Sequence, residues 1–182
     1  MLAPQLATLA PDVSGIILAA APARKLTDII VEQNHYFFSR LNDTTAASQK
    51  QFEEVIKNMD RSRITQLGGL KPDSLIMGLP ASYWISLNAY DQVETAKKLN
   101  KRIFVVQGGT DFQVSKADYD IWDAALGKKI TTTLRFYPAL NHLLSEQAEK
   151  GTTEQYQQPA NVSEKLIDDL GLWLKKQPLS KE

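Results

Sequence analysis

A carboxylate and an imidazole are the side chains of this 182-residue sequence best placed to do chemistry together. Asp111 follows a glycine pair at 108–109, and His142 ends the segment 138–142. Each residue alone is compatible with a structural role, since Asp is common in turns. Together, a carboxylate that reaches an imidazole fixes the tautomer of the ring and stabilises the imidazolium that forms when the ring takes a proton. The pair predicts the base half of a catalytic triad if the fold brings the two loops together.

Three short apolar runs predict the strands that would position this pair. Residues 15–21 and 103–106 are continuous apolar runs, typical of parallel strands buried on both faces. Residues 132–137 are rich in β-branched and aromatic side chains. Because neighbouring parallel strands lie about 4.8 Å apart and end at one edge of the sheet, the loops that carry Asp111 and His142 are expected to meet.

Helical patterns connect these runs and extend beyond them. Helices are predicted over 92–99, over 116–126, and near the end of the chain, where Leu166, Ile167, Leu170 and Leu174 are expected to share one apolar face. Strand, helix and strand in this order favour parallel pairing through right-handed crossovers. The sequence therefore predicts the α/β class.

Residues 26–80 do not fit this alternation, because they form a long segment between the first strand and the helix before the second. Leu26 to Phe38 reads as a helix, and the apolar residues of 52–59 recur at helical spacing. We predict one domain over 1–182, with 26–80 inserted as a helical cap over the carboxyl ends of the strands. An enlarged crossover packed on a sheet face is the alternative.

Composition disfavours several classes of partner and cofactor. Twenty-one Lys plus Arg balance 21 Asp plus Glu, so there is no basic excess for nucleic acid. With no Cys and two His, neither a thiolate metal site nor a His-rich zinc centre is expected, and we predict no cofactor or metal. No stretch approaches the roughly 18 apolar residues of a membrane span, and the first ten residues lack the positive region of a signal peptide. The sequence predicts a soluble chain and leaves its compartment open.

The chain resembles the carboxyl-terminal half of a serine esterase of the α/β-hydrolase fold, nearest the dienelactone hydrolases and oligopeptidase-like esterases. The resemblance is carried by Val105–Val114, Phe136–His142, Pro80–Trp84 and Tyr90–Asp91. It implies a partial α/β-hydrolase, with about three parallel strands, flanking helices and a cap. It also implies that Asp111 and His142 take the second and third places of a Ser, Asp, His triad. The implied substrate is a small or medium carboxylic ester, with a peptide or thioester left open.

The chain departs from this family at the nucleophile. The family's serine lies in a G-x-S-x-G turn between a strand and a helix, and the sequence contains no such pattern. Residues 1–7 resemble the helix that follows this turn, so the chain is expected to begin just after the serine and to be inactive alone. Ser14, Ser39, Ser82 and Ser86 precede Asp111, but none lies in the required context.

Other interpretations of the sequence stay open. His35 lies in a helical stretch beside aromatic residues, where packing explains it better than catalysis. A non-catalytic fragment that binds a partner, or its own missing half, is the competing function. A phosphate or nucleotide binder would use Gly108–Thr110, with no contact between Asp111 and His142. By the resemblance, the strand at Gly15–Ala21 lacks a neighbour, which predicts a homodimer or swapped oligomer through that edge, or a helix covering it.

Overall fold

The computed structural model describes residues 1–41 and 45–176, so residues 42–44 of the predicted insertion lie outside the described residues. The chain forms two compact units, one of Met1–Ala23 with the chain from Gln92 onward and one of Arg24–Asp91. Its elements follow in chain order: α1 (Ala3–Leu9), β1 (Gly15–Ala19), α2 (Leu26–Arg40), α3 (Ala46–Arg61), β2 (Leu75–Ile76), β3 (Leu79–Pro80), α4 (Ala81–Ala89), α5 (Gln92–Lys98), β4 (Arg102–Gly108), α6 (Lys116–Leu126), β5 (Thr132–Tyr137), a short 3₁₀ helix (Thr153–Gln157) and α7 (Glu164–Leu174).

The first unit is built on a parallel sheet with the strand order β1-β4-β5. Ile16 of β1 pairs with Ile103 of β4, and the last residues of β4 and β5, Gly108 and Tyr137, pair with each other. The central strand β4 is buried on both faces, as its apolar run predicts. A short three-stranded parallel sheet flanked by helices confirms the predicted α/β class.

Helices cover the two faces of this sheet with separate apolar clusters. On one face, residues of α1, α5 and α6 pack against Ile16, Leu18, Ile103 and Val105. On the other face, α7 packs against Phe104 and Val106. The buried indole of Trp122 in α6 also donates to the carbonyl of Ala21 at 2.8 Å, which ties α6 to the segment after β1.

The structure corrects the predicted faces of β1 and α7. Strand β1 is buried on one face only, since Ile17 is 39% exposed and Ala19 is also exposed. In α7, Leu166 and Trp173 face the core, whereas the predicted core residues Ile167 and Leu174 are exposed. At 3.6 residues per turn, positions 167 and 174 lie about 80–100° away from position 166, which places them on the flank of the buried stripe.

The second unit contains α2, α3, a small antiparallel hairpin of β2 and β3, and α4. The hairpin turn is Met77-Gly78, and both residues have positive φ, which matches the twist that two-residue hairpins require. Trp84 is buried beside Ile76 and donates from its indole to the Ile76 carbonyl at 2.8 Å. Across the described parts of both units, no helix combines the length and apolarity that crossing a bilayer requires.

Candidate active site

The ends of β4 and β5 bring the two predicted loops together. The backbone N–H of Gly109 donates to the carbonyl of Tyr137 at 2.8 Å, and that of Thr110 donates to the carbonyl of Leu140 at 3.0 Å. These bonds continue the pairing of the strands into the loops. As a result, the two loops are hydrogen-bonded to each other through their main chains, immediately before Asp111 in one loop and shortly before His142 in the other.

The glycine pair at 108–109 allows this close approach. A Cβ atom on Gly108 would lie 2.6 Å from the carbonyl carbon of Leu140, and one on Gly109 would lie 2.8 Å from the Cα of Pro138. Both distances are shorter than van der Waals contact, and both neighbours are main-chain atoms. Any larger residue at either position would therefore separate the loop that carries Asp111 from the loop that carries His142.

The Asp111 carboxylate is fully buried and accepts four hydrogen bonds. Its Oδ1 accepts from the backbone N–H groups of Gln113 at 2.7 Å and Val114 at 2.9 Å. Its Oδ2 accepts from Gln107 Nε2 at 3.0 Å and lies 2.9 Å from His142 Nδ1. The Asp111 side chain is 0% exposed, so these donors replace the water that a buried carboxylate loses.

The His142 ring joins this buried carboxylate to the surface, because its side chain is 28% exposed. An ionised carboxylate can only accept, so the proton between the two groups belongs to Nδ1 of the imidazole. In the neutral ring this tautomer leaves Nε2 as the basic nitrogen. The arrangement can therefore take a proton at Nε2 while Asp111 stabilises the charge that forms.

The loop around His142 is held by the side chain of Asn141. Its Oδ1 accepts from the backbone N–H groups of Leu143 at 2.9 Å and Ser145 at 3.2 Å. Leu144 follows with a φ of 61°, an uncommon conformation for a residue with a side chain. The Asn141 side chain thus satisfies two main-chain N–H groups of this tight loop.

Tyr156 of the 3₁₀ helix covers the loop after Asp111. Its ring stacks on Phe112, with centroids 5.6 Å apart, and its hydroxyl accepts from Gln113 Nε2 at 2.7 Å. Burial raises the pKa of the Tyr156 phenol above its ordinary value, and the negative charge of Asp111 raises this pKa further, against the hydrogen bond from Gln113. The phenol therefore stays neutral in the field of the carboxylate.

Comparison with known proteins matches the sequence to an esterase. No protein-family model matches the sequence. The chain is 27% identical over 176 residues to Esterase EstD of Thermotoga maritima, a match that covers 97% of this chain. It is a distant homologue of that esterase. The chain spans about 40% of the length of this relative.

Ser14, His35 and Ser39 were also considered from the sequence, and each has its own surroundings. Ser14 directly precedes β1, at the amino end of a sheet whose carboxyl end leads to Asp111 and His142. In the second unit, His35 packs edge-on against Phe52, with ring centroids 4.9 Å apart, and the hydroxyl of Ser39 donates to the Tyr36 carbonyl. The structure thus gives His35 the packing contact expected for it.

Gln107 and Asn141 were not predicted as site residues from the sequence, although the side chains of both make hydrogen bonds in the loops that carry Asp111 and His142. Gln107 carries a detectable signal, because it is a polar residue that continues the apolar run of β4 and is buried. A buried polar side chain needs hydrogen-bond partners, which it finds here in the following loop. Asn141 carries a weaker signal, since Asn is frequent in loops for many reasons.

Proposed function

We propose that this chain carries the acid–base half of a serine ester hydrolase, with Asp111 and His142 as two members of its triad. The observation that carries the proposal is the 2.9 Å contact between His142 Nδ1 and the buried Asp111 carboxylate. Homology to Esterase EstD over nearly the whole chain supports the same reaction class. The contact weighs against the phosphate-binder interpretation, which expected none.

The mechanism follows from the orientation of the imidazole. His142 Nε2 accepts the proton of a serine hydroxyl as its oxygen bonds to the ester carbonyl carbon. Asp111 holds the ring in place and stabilises the imidazolium. His142 then donates the same proton to the departing alcohol as the bond from carbonyl carbon to alkoxy oxygen breaks, which leaves an acyl-serine. A water molecule, deprotonated by Nε2, hydrolyses the acyl-serine in the second half of the reaction.

The nucleophile and the oxyanion donors belong, in this proposal, to polypeptide outside the present sequence, since the sequence lacks a G-x-S-x-G turn. The substrate class is a small or medium carboxylic ester. The insertion at 26–80 is proposed as the cap that excludes water and shapes the acyl or alcohol pocket. The chain alone is therefore expected to be inactive.

Ester turnover tests the proposal. The chain alone should give no burst and no turnover with a nitrophenyl ester. The same chain joined to an amino-terminal segment that supplies a serine in a G-x-S-x-G turn should hydrolyse it, and both His142→Ala and Asp111→Asn should reduce kcat by several orders of magnitude. Turnover by the chain alone that His142→Ala abolishes would place the serine within this sequence. If the chain and that segment, made separately, bind each other tightly but hydrolyse no ester, a binding module would be supported instead.

The edge of β1 supports a second proposal, which concerns assembly. Among the described residues, β1 pairs with a strand on one side only. Residues 1–23 contain one charged side chain, Asp12, and α1 exposes apolar residues that include Leu9, 75% exposed. We propose that a second copy of the chain pairs with β1 at this edge, because antiparallel pairing of two identical strands is self-complementary and meets no charge repulsion.

A further inference from the structure

We propose that Gln107 is a positioning residue that fixes the Asp111 carboxylate for His142, an inference that rests on the proposed function. Gln107 lies near the end of β4, and its side chain is 2% exposed. Its Nε2 donates to Asp111 Oδ2 at 3.0 Å and to the carbonyl of Val114 at 2.8 Å. The amide therefore binds both ends of the loop 111–114. It donates to Asp111 Oδ2, the same oxygen that contacts His142 Nδ1.

The chemistry of its neighbours determines how this amide is oriented. The groups within hydrogen-bond distance of Nε2 are the Asp111 carboxylate and the carbonyls of Val114 and Gly108, the last at 3.2 Å. All three can only accept, so the side-chain nitrogen of Gln107 must face them. The two N–H groups of the amide are shared among these three acceptors.

The two oxygens of Asp111 are held differently, which gives Gln107 its role. Oδ1 is held by two backbone N–H groups, whereas Oδ2 is held by the Gln107 amide and the imidazole. The χ2 angle of an aspartate is only weakly restricted, so hydrogen bonds to Oδ1 alone would not fix the position of Oδ2. Because the Gln107 amide is anchored to the main chain of Val114, it is a fixed donor that keeps Oδ2 at the distance the imidazole requires.

A residue with this role should change the rate and leave substrate binding unchanged. If Oδ2 moves, His142 loses the partner that fixes its tautomer and stabilises its charged form, both of which matter as the proton moves. In the joined protein, Gln107→Met should lower kcat by on the order of 10²-fold and leave KM unchanged. A purely structural role would lower the amount of folded protein without this separation of kcat from KM.

The test on the chain itself is the low-field proton resonance of His142 Nδ1–H, which is visible while that proton is held in a hydrogen bond. Wild type should show it, and Gln107→Met should lose it or show much faster exchange with water. Gln92→Met is the matched control, because Gln92 is also 2% exposed but donates to the Ala23 carbonyl at 2.8 Å. The control should keep the resonance even if it destabilises the fold equally.

Gln107→Glu keeps the inference testable if the methionine variant fails to fold. The new carboxyl group can donate to Asp111 Oδ2 only while it holds a proton, and two ionised carboxylates at this distance repel each other. The resonance should therefore disappear as pH rises and return on acidification. A resonance that persists unchanged in the folded Gln107 variants would overturn the positioning role and leave the triad proposal standing. Its absence from wild type would overturn both.

Discussion

One sheet contains both the carboxyl ends of β4 and β5 and the outer edge of β1, but the two regions differ in how their exposed and polar groups are satisfied. At the strand ends, the buried carboxylate of Asp111 accepts four hydrogen bonds from its own unit. At the edge, Ile17 and much of α1 expose apolar side chains, with one charge in the first 23 residues. The polar groups of the site are thus satisfied within the unit, whereas the apolar edge is where we propose that a second copy binds. Perturbing one region should leave the other unchanged.

The largest expected effect comes from filling the space between the two loops. Gly108→Ala places a methyl group against the main chain of Leu140, so the loops must separate. We expect a loss of about 1–3 kcal/mol or more in the free energy of unfolding, together with loss of the hydrogen bond between Asp111 and His142. Urea denaturation measures the first effect, and the His142 Nδ1–H resonance reports the second.

Gly171→Ala is the control for this substitution. Gly171 lies inside α7, and a Cβ atom there would meet nothing within 4 Å. Alanine is the better helix former, so this variant should be more stable by up to about 1 kcal/mol and should keep the resonance. A Gly108→Ala protein as stable as wild type would show that the loops can approach without this glycine, contrary to the geometry.

A charge at the β1 edge should change association and spare the site. Ile17 is the middle residue of β1, so in an antiparallel pair of edges Ile17→Lys places two ammonium groups opposite each other on one face of the sheet. Because like charges at this position repel, the association constant should fall at least about tenfold, or roughly 1.4 kcal/mol. Ile167→Lys makes the same change at an exposed residue of α7 and should have no effect. Light scattering across a concentration series measures both. A wild-type chain that is monomeric throughout, with fast-exchanging β1 amides, would contradict the assembly proposal.

The smallest expected effect is a pH dependence that originates at Tyr156. Its phenol pKa lies above the ordinary 10.0 because of burial and the Asp111 charge. Above pH 10 the unfolded chain releases this proton first, so the free energy of unfolding falls as pH rises through the folded-state pKa. One proton gives at most about 1.4 kcal/mol per pH unit, and less here because the side chain is partly exposed.

Tyr156→Phe removes this contribution and should flatten the dependence. Urea unfolding of both proteins at about pH 8 and about pH 10.5 provides the comparison, with the other tyrosines common to both. The stability of wild type should fall more between the two conditions than that of the variant. Equal falls would mean that the Tyr156 phenol titrates alike in the folded and unfolded chains.

The sequence predicted the sheet better than the surfaces around it. The apolar runs and their β-branched residues identified β4 and β5 to within two residues, because local pattern and burial agree there. The short hairpin at Leu75–Pro80 was missed, since two-residue strands carry no periodicity. The exposure of Ile17 could not be predicted, because it depends on what packs against that face of the sheet rather than on the residue types of β1.

In the candidate site, too, features that depend on chain order were predicted and features that depend on side-chain contacts were not. The meeting of Asp111 and His142 was predicted because each follows a strand end, a position that chain order determines. The roles of Gln107 and Asn141 were missed, since each depends on side-chain bonds that a tight loop makes back onto its own main chain. The glycine pair at 108–109 was noted for its position before Asp111, but its close approach to the main chain of Pro138 and Leu140 could not be predicted from the sequence.

The most direct test of the central claim is the tautomer of His142, read from the ring nitrogen shifts at about pH 8, where an ordinary imidazole is neutral. If Asp111 orients the ring as a base, the proton lies on Nδ1 and Nε2 is bare. In Asp111→Asn the amide can donate to Nδ1 instead, so the proton should move to Nε2. A wild-type ring that already carries its proton on Nε2 would contradict the claim that this pair is the base of an ester hydrolase.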